Sequence, residues 1–177
     1  MSEKFEMTNQ VYREMFINHL TFQWGWNYEK MQGLGYAWVI MPALKRIYKD
    51  DPEGMKQALK MQLSYFNTTP AMSHLIVGAD MALEEEFGIE AENAVAGLKT
   101  GLMGPFAGVG DTLFIAIYRA IVFSIASYMA LEGNALGLLI PIIACIAVMA
   151  VRYKFTTMGY AQCSATEELI RNLKRNA

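Results

Sequence analysis

The feature that most constrains the fold is a run of nineteen residues without a charge, from residue 133 to residue 151. As an α-helix this run is about 28 Å long, close to the roughly 30 Å hydrocarbon core of a bilayer. The preceding stretch, residues 112–131, is also apolar and is interrupted only by Arg119. The pattern predicts two membrane-spanning helices joined by a short polar turn at Glu132. The core hairpin of a soluble helical protein is the alternative.

Charged side chains are distributed unevenly along the chain, with three in residues 100–151 against fifteen in residues 1–62. The net charge of −2 and the absence of a basic patch exclude a nucleic-acid reader. Two cysteines are too few for a disulfide framework. Because Arg152 and Lys154 follow the second apolar stretch, the positive-inside rule places that end in the cytoplasm and Glu132 outside.

The first hundred residues are predicted to form amphipathic segments that are too short to cross a bilayer. Asp51-Pro52-Glu53 is a helix start, and the helix after it is expected to carry an apolar seam of Met55, Leu59, Leu63 and Phe66. Its lysines, facing away from this seam, suit an interfacial helix on anionic headgroups. Residues 31–44 and 64–79 are uncharged but short and interrupted by Gly or Pro, which is typical of re-entrant or interfacial segments. The acidic run 84–86 is expected on a solvated helix face.

Residues that carry chemistry are few. The Gly-rich run 101–111 lacks the endings of a P-loop and of a dinucleotide fingerprint. Asp111, beside an apolar span, is either a functional carboxylate or the partner of Arg119 in a structural ion pair. His19 and His74 have no partner at ligand spacing, so no catalytic residue, metal or cofactor is indicated.

The segment 23–32 combines tryptophan and tyrosine with amide and carboxyl groups. Such aromatic side chains mark a membrane interface, and a plain aromatic anchor explains them. The amide and carboxyl groups of Asn27, Glu29 and Gln32, beside Trp26, are also the kind that hold a polyhydroxylated ligand.

Five blocks, in order, carry a resemblance to one known family. They read WNYEKMQGLGY at 26–36, MPALKRIY at 41–48, LSYFNTTP at 63–70, ALEEE at 82–86 and GLMGPFAGVGDTLF at 101–114. On these blocks the sequence resembles the IID subunit of the mannose-type phosphotransferase systems. The similarity covers nearly the whole chain.

The resemblance implies a multi-pass protein of the bacterial inner membrane that pairs with a IIC subunit to translocate a hexose or amino sugar. Phosphoryl groups would reach the sugar through the IIA and IIB subunits, so this chain would be a non-catalytic subunit without a cofactor. The IIC–IID pairs are expected to form a homo-oligomer. Trp26, Asn27, Glu29 and Gln32 are expected to line the sugar path at the IIC interface, with Asn67 and Asp111 as second-tier candidates.

The expected fold class is an all-α membrane protein, with amphipathic and re-entrant helices followed by a transmembrane helical hairpin. We expect an interfacial and re-entrant region at 1–100, a Gly-rich segment and hairpin at 101–155 and a cytoplasmic tail helix at 156–177. Because members of the resembled family continue further, the chain is expected to be C-terminally truncated. The alternative function is a truncated, non-transporting protein that docks on IIC.

Overall fold

The computed structural model describes residues 7–176, and their side chains up to residue 166. Seven α-helices, numbered in chain order, account for most of this part of the chain. Short 3-10 turns follow α4 and precede α7, and a π-helical turn connects α5 to α6. The helices are α1 (Asn9–His19), α2 (Gly33–Ile47), α3 (Pro52–Gln62), α4 (Pro70–Phe87), α5 (Glu92–Gly110), α6 (Tyr118–Leu131) and α7 (Leu139–Asn176).

Helices α1 to α4 form a folded helical domain whose core lies on α2. The apolar positions Tyr36, Val39, Ile40, Ala43 and Leu44 recur every three or four residues and are fully buried. Side chains from the other helices and loops close the core around them: Met15, Phe22, Phe66, Ile76, Val77 and Met81. The core therefore holds together segments that are far apart in the sequence.

Helix α3 begins as the sequence predicts but buries a different face. The Asp51 carboxylate accepts a hydrogen bond from the Gly54 amide at 2.9 Å, with Pro52 in the first helical turn. The buried residues of α3 are Gly54, Ala58 and Gln62. Of the expected seam, Phe66 lies beyond the end of α3 and is fully buried, Met55 and Leu59 are partly buried and pack against the core, and Leu63 is exposed. The seam is therefore confirmed only in part, since the fully buried face of α3 lies one position around the helix.

Helix α4 connects the domain to the rest of the chain through two close helix pairs. A turn at Gly88, whose φ is +56°, reverses the chain so that α5 packs back along α4. The longest contact is with α7, where two glycines permit close approach. A Cβ on Gly78 would lie 2.1 Å from the Thr156 carbonyl oxygen, and a Cβ on Gly159 would lie 2.1 Å from that of Leu75.

Two apolar segments leave this domain as a hairpin. None of the residues of α6 is buried, and Gly137, in the 3-10 turn that precedes α7, is buried against α6. Gly133, with a φ of +75°, turns the chain, and the Asn134 side chain accepts a hydrogen bond from Leu136 N at 3.0 Å. The most apolar windows of the two segments are 0% and 6% buried.

This exposure decides between the two readings of the apolar run. A core hairpin of a soluble protein would be covered by other parts of the protein, whereas these helices present isoleucine, leucine and phenylalanine outward. The chain is therefore an all-α membrane protein with a transmembrane hairpin, as predicted. The expected tail at 156–177 is not a separate element in the described residues, because α7 runs without a break from the second span to Asn176.

Candidate functional site

Two loops of the helical domain pair to form the candidate site. The first, residues 25–32, precedes α2, and the second, residues 64–69, connects α3 to α4. Gln32 N donates to the Phe66 carbonyl at 2.8 Å, and Phe66 N donates to the Lys30 carbonyl at 3.3 Å. Met31 lies between them in the left-handed region, with a φ of +51°. A non-glycine residue in that region is uncommon and is held there by its surroundings.

Gln32 holds the two loops together from inside the protein. Its side-chain amide donates to the Thr68 carbonyl at 2.8 Å, and its side-chain oxygen accepts from Thr68 N at 2.9 Å. The residue is buried. Gln32, predicted to bind sugar, therefore has its side-chain hydrogen-bonding groups occupied by the Thr68 backbone.

Asn27 orders the first loop in a similar way. Its side-chain oxygen accepts from Glu29 N at 3.1 Å and from Lys30 N at 2.9 Å, and its amide donates to the Gly25 carbonyl at 3.2 Å. This arrangement is an Asx turn, which fixes the backbone on which Glu29 projects into solvent.

Asp111 meets the second loop from the start of the first apolar span. It lies in the π-helical turn Asp111–Ile117, and the Thr69 hydroxyl approaches its carboxylate at 2.6 Å. Asn67, two residues before Thr69, is exposed. No ion pair joins Asp111 to Arg119 among the described residues. The structural ion pair expected as an alternative role for Asp111 is therefore not formed. The second loop thus brings Gln32, Asn67 and Asp111 to one edge of the domain.

Exposed aromatic side chains lie on the two loops, just before the first loop and on helix α2. Trp24 and Tyr28 are each 86% exposed, and Trp26 is 42% exposed with its ring packed edge-on against Tyr28. Trp38 and Tyr65, on α2 and the second loop, are also about half exposed. We call these five residues the aromatic surface. Large exposed apolar patches of this kind mark contact sites.

A buried polar network beneath the site was not predicted from the sequence. Gln62 is at its centre: its amide donates to Asp80 at 3.0 Å and to Glu84 at 2.8 Å, and its oxygen accepts from Lys99. The Lys99 ammonium also lies 4.0 Å from the centre of the Tyr36 ring. Two buried carboxylates thus share one buried ammonium group through a single amide.

Two tyrosines complete this network from α2 and its end. Tyr36 donates to Asp80 at 2.7 Å and Tyr48 donates to Glu84 at 2.6 Å. Burial, with Asp80 beside it, raises the pKa of Tyr36, which keeps its hydroxyl protonated and able to donate. The expectation of a solvated face for the acidic run is wrong at Glu84, which is fully buried. The available signal was the spacing of Asp80 and Glu84, one helical turn apart in an apolar stretch.

The two histidines form a stacked pair at the junction of α1, α4 and α7. Their ring centroids are 3.4 Å apart and both are buried. His19 Nε2 lies 2.7 Å from Ser73 Oγ, and His74 Nδ1 lies 2.9 Å from Thr156 Oγ1. Burial, with His74 and Arg152 nearby, lowers the pKa of His19 and keeps its ring neutral. The described residues contain no cluster of ligating side chains that fits a metal ion.

Comparison with a family model and with curated proteins gives matches to IID components in both cases. The family model for the "PTS system mannose/fructose/sorbose family IID component" matches residues 6–176. The mannose-specific EIID component of Escherichia coli K12 is 37% identical over 161 residues, which are 89% of this chain and 57% of that protein. The fructose permease IID component of Bacillus subtilis 168 is 33% identical over 167 residues, 92% of this chain and 60% of that protein.

Solved structures agree with the sequence comparison. A chain from the cryo-EM structure of the mannose transporter ManYZ with microcin E492 superimposes with a TM-score of 0.87 and 36% identity. The match covers 92% of this chain and 61% of that chain. The chain therefore spans a little over half the length of the curated relatives it matches.

Proposed function

The chain belongs to the mannose/fructose/sorbose family of phosphotransferase-system IID components, and from this membership we propose that it forms the sugar-translocating unit with a IIC subunit. In this role it binds and positions sugar at the IIC interface, and the IIA and IIB subunits carry the phosphoryl group. It would lie in the bacterial inner membrane as a multi-pass protein, in an oligomer of IIC–IID pairs.

The observation that carries this proposal is the edge formed by the paired loops beside the first span. There an exposed carboxylate, Asp111, is hydrogen-bonded to Thr69, two residues from the exposed amide of Asn67. Glu29 and Trp26 project from the neighbouring loop. Carbohydrate recognition uses such carboxyl and amide groups for hydroxyls and an aromatic face for the ring.

The six residues predicted to bind sugar divide into two groups on this geometry. Trp26, Glu29, Asn67 and Asp111 have exposed side chains and are proposed to contact the sugar. The side chains of Asn27 and Gln32 form hydrogen bonds with backbone groups of the chain itself. They are proposed to position the loops that carry the sugar-contacting residues.

The aromatic surface and one face of α5 are proposed to contact IIC. Tryptophan and tyrosine are enriched where protein interfaces bury their cores. On α5, four glycines at spacings of four, three and four have open space where a side chain would be, which permits close approach of a partner helix. They are Gly97, Gly101, Gly104 and Gly108.

The proposed division of the chain follows from its topology. The region 1–100 would lie at the cytoplasmic membrane surface, 101–155 would enter and cross the bilayer, and 156–177 would return to the cytoplasm. Arg152 and Lys154 at the end of the second span favour this orientation under the positive-inside rule.

The test is sugar phosphorylation by membrane vesicles from a strain lacking its own IID subunit. Vesicles containing this chain and its IIC subunit are supplied with phosphoenolpyruvate, the soluble carriers and labelled mannose, fructose or sorbose. The proposal predicts phosphorylated sugar that depends on the chain, and a loss of at least tenfold for Asp111→Asn and Asn67→Ala. Lys49→Gln, a charge change on the surface between α2 and α3, is the control and should retain activity.

The second candidate function is that of a non-transporting protein that docks on IIC. This alternative predicts that the chain co-purifies with IIC and yields no phosphorylated sugar. Failure to co-purify with IIC would contradict both functions.

A further inference from the structure

A cavity of about 400 Å³ opens between the first turn of α4, the start of α6 and the membrane part of α7. Most of its wall is apolar, with Phe114, Val122, Val148 and Met149 among the lining residues. Four polar residues, Thr69, Tyr118, Arg119 and Arg152, line the same space. Thr69 also belongs to the candidate sugar edge, because its hydroxyl donates to the Asp111 carboxylate.

Neither arginine of this cavity forms an ion pair with a residue that the structure describes. Arg152 donates from Nε to His74 at 3.2 Å and makes a long contact of 3.8 Å with the Met149 sulfur. Arg119 makes no hydrogen bond or ion pair within that same part of the chain. Guanidinium groups next to membrane-spanning helices are costly unless an anion or water satisfies them. Two of them lining one cavity therefore favour a bound anion.

The hairpin places both arginines towards the same face of the bilayer. Arg152 is the first charged residue after the uncharged run, so it lies at the end of the second span. Arg119 lies on the antiparallel helix, thirteen residues before the Glu132 turn, against twenty for Arg152. At about 1.5 Å per residue, their Cα atoms differ in depth by roughly 10 Å, a gap that two long side chains reaching for the headgroup level can close.

A further polar atom is available in the same space. The Tyr118 hydroxyl is buried and has no hydrogen-bond partner in the described structure. A buried hydroxyl without a partner costs free energy that a ligand oxygen would recover. The cavity thus offers two guanidinium groups and a hydroxyl beside a long apolar wall.

We propose that this cavity binds an anionic phospholipid, with the phosphate between Arg119 and Arg152 and an acyl chain along the apolar wall. Arginine pairs with phosphate oxygens through parallel hydrogen bonds, and basic pockets between membrane helices bind anionic headgroups. A free phosphate or a sugar phosphate offers the same anion, but neither covers the apolar wall. The site depends on the membrane hairpin and not on sugar transport.

The test is thermal unfolding of the full chain, purified in mild detergent and stripped of lipid. Phosphatidylglycerol should raise the melting temperature by several degrees, whereas phosphatidylcholine should not. Arg119→Gln should lose at least half of this shift, and Tyr118→Phe should reduce it. Lys154→Gln, which removes a charge from the same helix as Arg152 but does not line the cavity, should keep it. Because Arg152→Gln also breaks the bond to His74, Arg119→Gln is the deciding variant.

Four results would overturn the proposal. The first is an equal shift with phosphatidylcholine, and the second is a phosphatidylglycerol shift that Arg119→Gln leaves intact. The third is a shift with inorganic phosphate or glucose 6-phosphate and none with phosphatidylglycerol, which would assign the cavity to a soluble anion. The fourth is loss of the arginine-dependent shift when the chain is purified with IIC, which would assign the cavity to an acidic group of that subunit.

Discussion

Replacing Gln62 with leucine should destabilise the helical domain far more than an ordinary glutamine substitution. The side chain connects both buried carboxylates to Lys99, and leucine has similar bulk but no polar group. The change leaves Asp80 with the Tyr36 hydroxyl and Glu84 with the Tyr48 hydroxyl. Lys99 keeps the Gln62 backbone carbonyl, at 3.4 Å. Each charged group therefore loses one partner and retains another.

The size of the effect follows from these losses. A hydrogen bond to a charged group contributes about 1.5–3 kcal/mol. Three such bonds depend on one side chain, so their contributions overlap, and proton uptake by one carboxyl group together with the added apolar burial offsets part of the loss. We expect a decrease of about 3 kcal/mol in the free energy of unfolding, which is roughly a hundredfold change in the equilibrium constant.

The assay is denaturant unfolding in mild detergent, followed by tryptophan fluorescence. All three tryptophans, at positions 24, 26 and 38, belong to the helical domain, so the signal reports that domain rather than the hairpin. Gln57→Leu is the matched control because Gln57 is exposed on the same helix. If Gln62→Leu and Gln57→Leu differ by less than about 0.5 kcal/mol, the buried network does not stabilise the domain as argued.

Further predictions concern the packing of the domain. Gly78→Val should separate α4 from α7 and increase their sensitivity to protease, whereas Gly97→Val, with open space at its Cβ, should not. Gln32→Ala should lower the free energy of unfolding by about 1–3 kcal/mol, because it leaves the buried backbone groups of Thr68 unpaired; an unchanged denaturation midpoint would refute this role. Hydrogen bonds from Arg46 lower the pKa of the Glu14 carboxyl group. The stability that the Glu14–Arg46 interaction contributes should therefore be present near neutral pH and lost below about pH 4. The free energy of unfolding of Glu14→Gln should accordingly decrease less in acid than that of the unchanged protein.

The sequence was sufficient for the membrane part of the fold because its signal is local. Nineteen uncharged residues in succession have few structural solutions, and the turn at Glu132 follows from the polar residues themselves. The cap located helix α3, but the sequence did not show which face of the helix packs against the domain. Two apolar stripes one position apart cannot be distinguished without knowing the neighbouring helices. The structure fully buries Gly54 and Ala58, which allow close packing, together with Gln62, and leaves Met55 and Leu59 only partly covered.

The candidate site was only partly accessible from the sequence for a related reason. Composition identified Asn27 and Gln32 as polar residues, but their partners, the backbone of residues 25, 29, 30 and 68, are set by the loop conformation. The buried network joins residues from α2 to α5, and its charged members look like surface residues when taken singly. Long-range partners of this kind become visible only when the helices are packed.

The most direct test of the central claim, a two-span membrane hairpin attached to a helical domain that we propose to be cytoplasmic, is paired cysteine accessibility. Glu132→Cys and Lys56→Cys are introduced separately into a chain whose Cys145 and Cys163 are replaced by serine, and the chain is expressed with IIC in a bacterial inner membrane. A membrane-impermeant maleimide should label residue 132 in intact spheroplasts and residue 56 only after lysis. Labelling of both residues before lysis, or of residue 56 alone, would contradict the account.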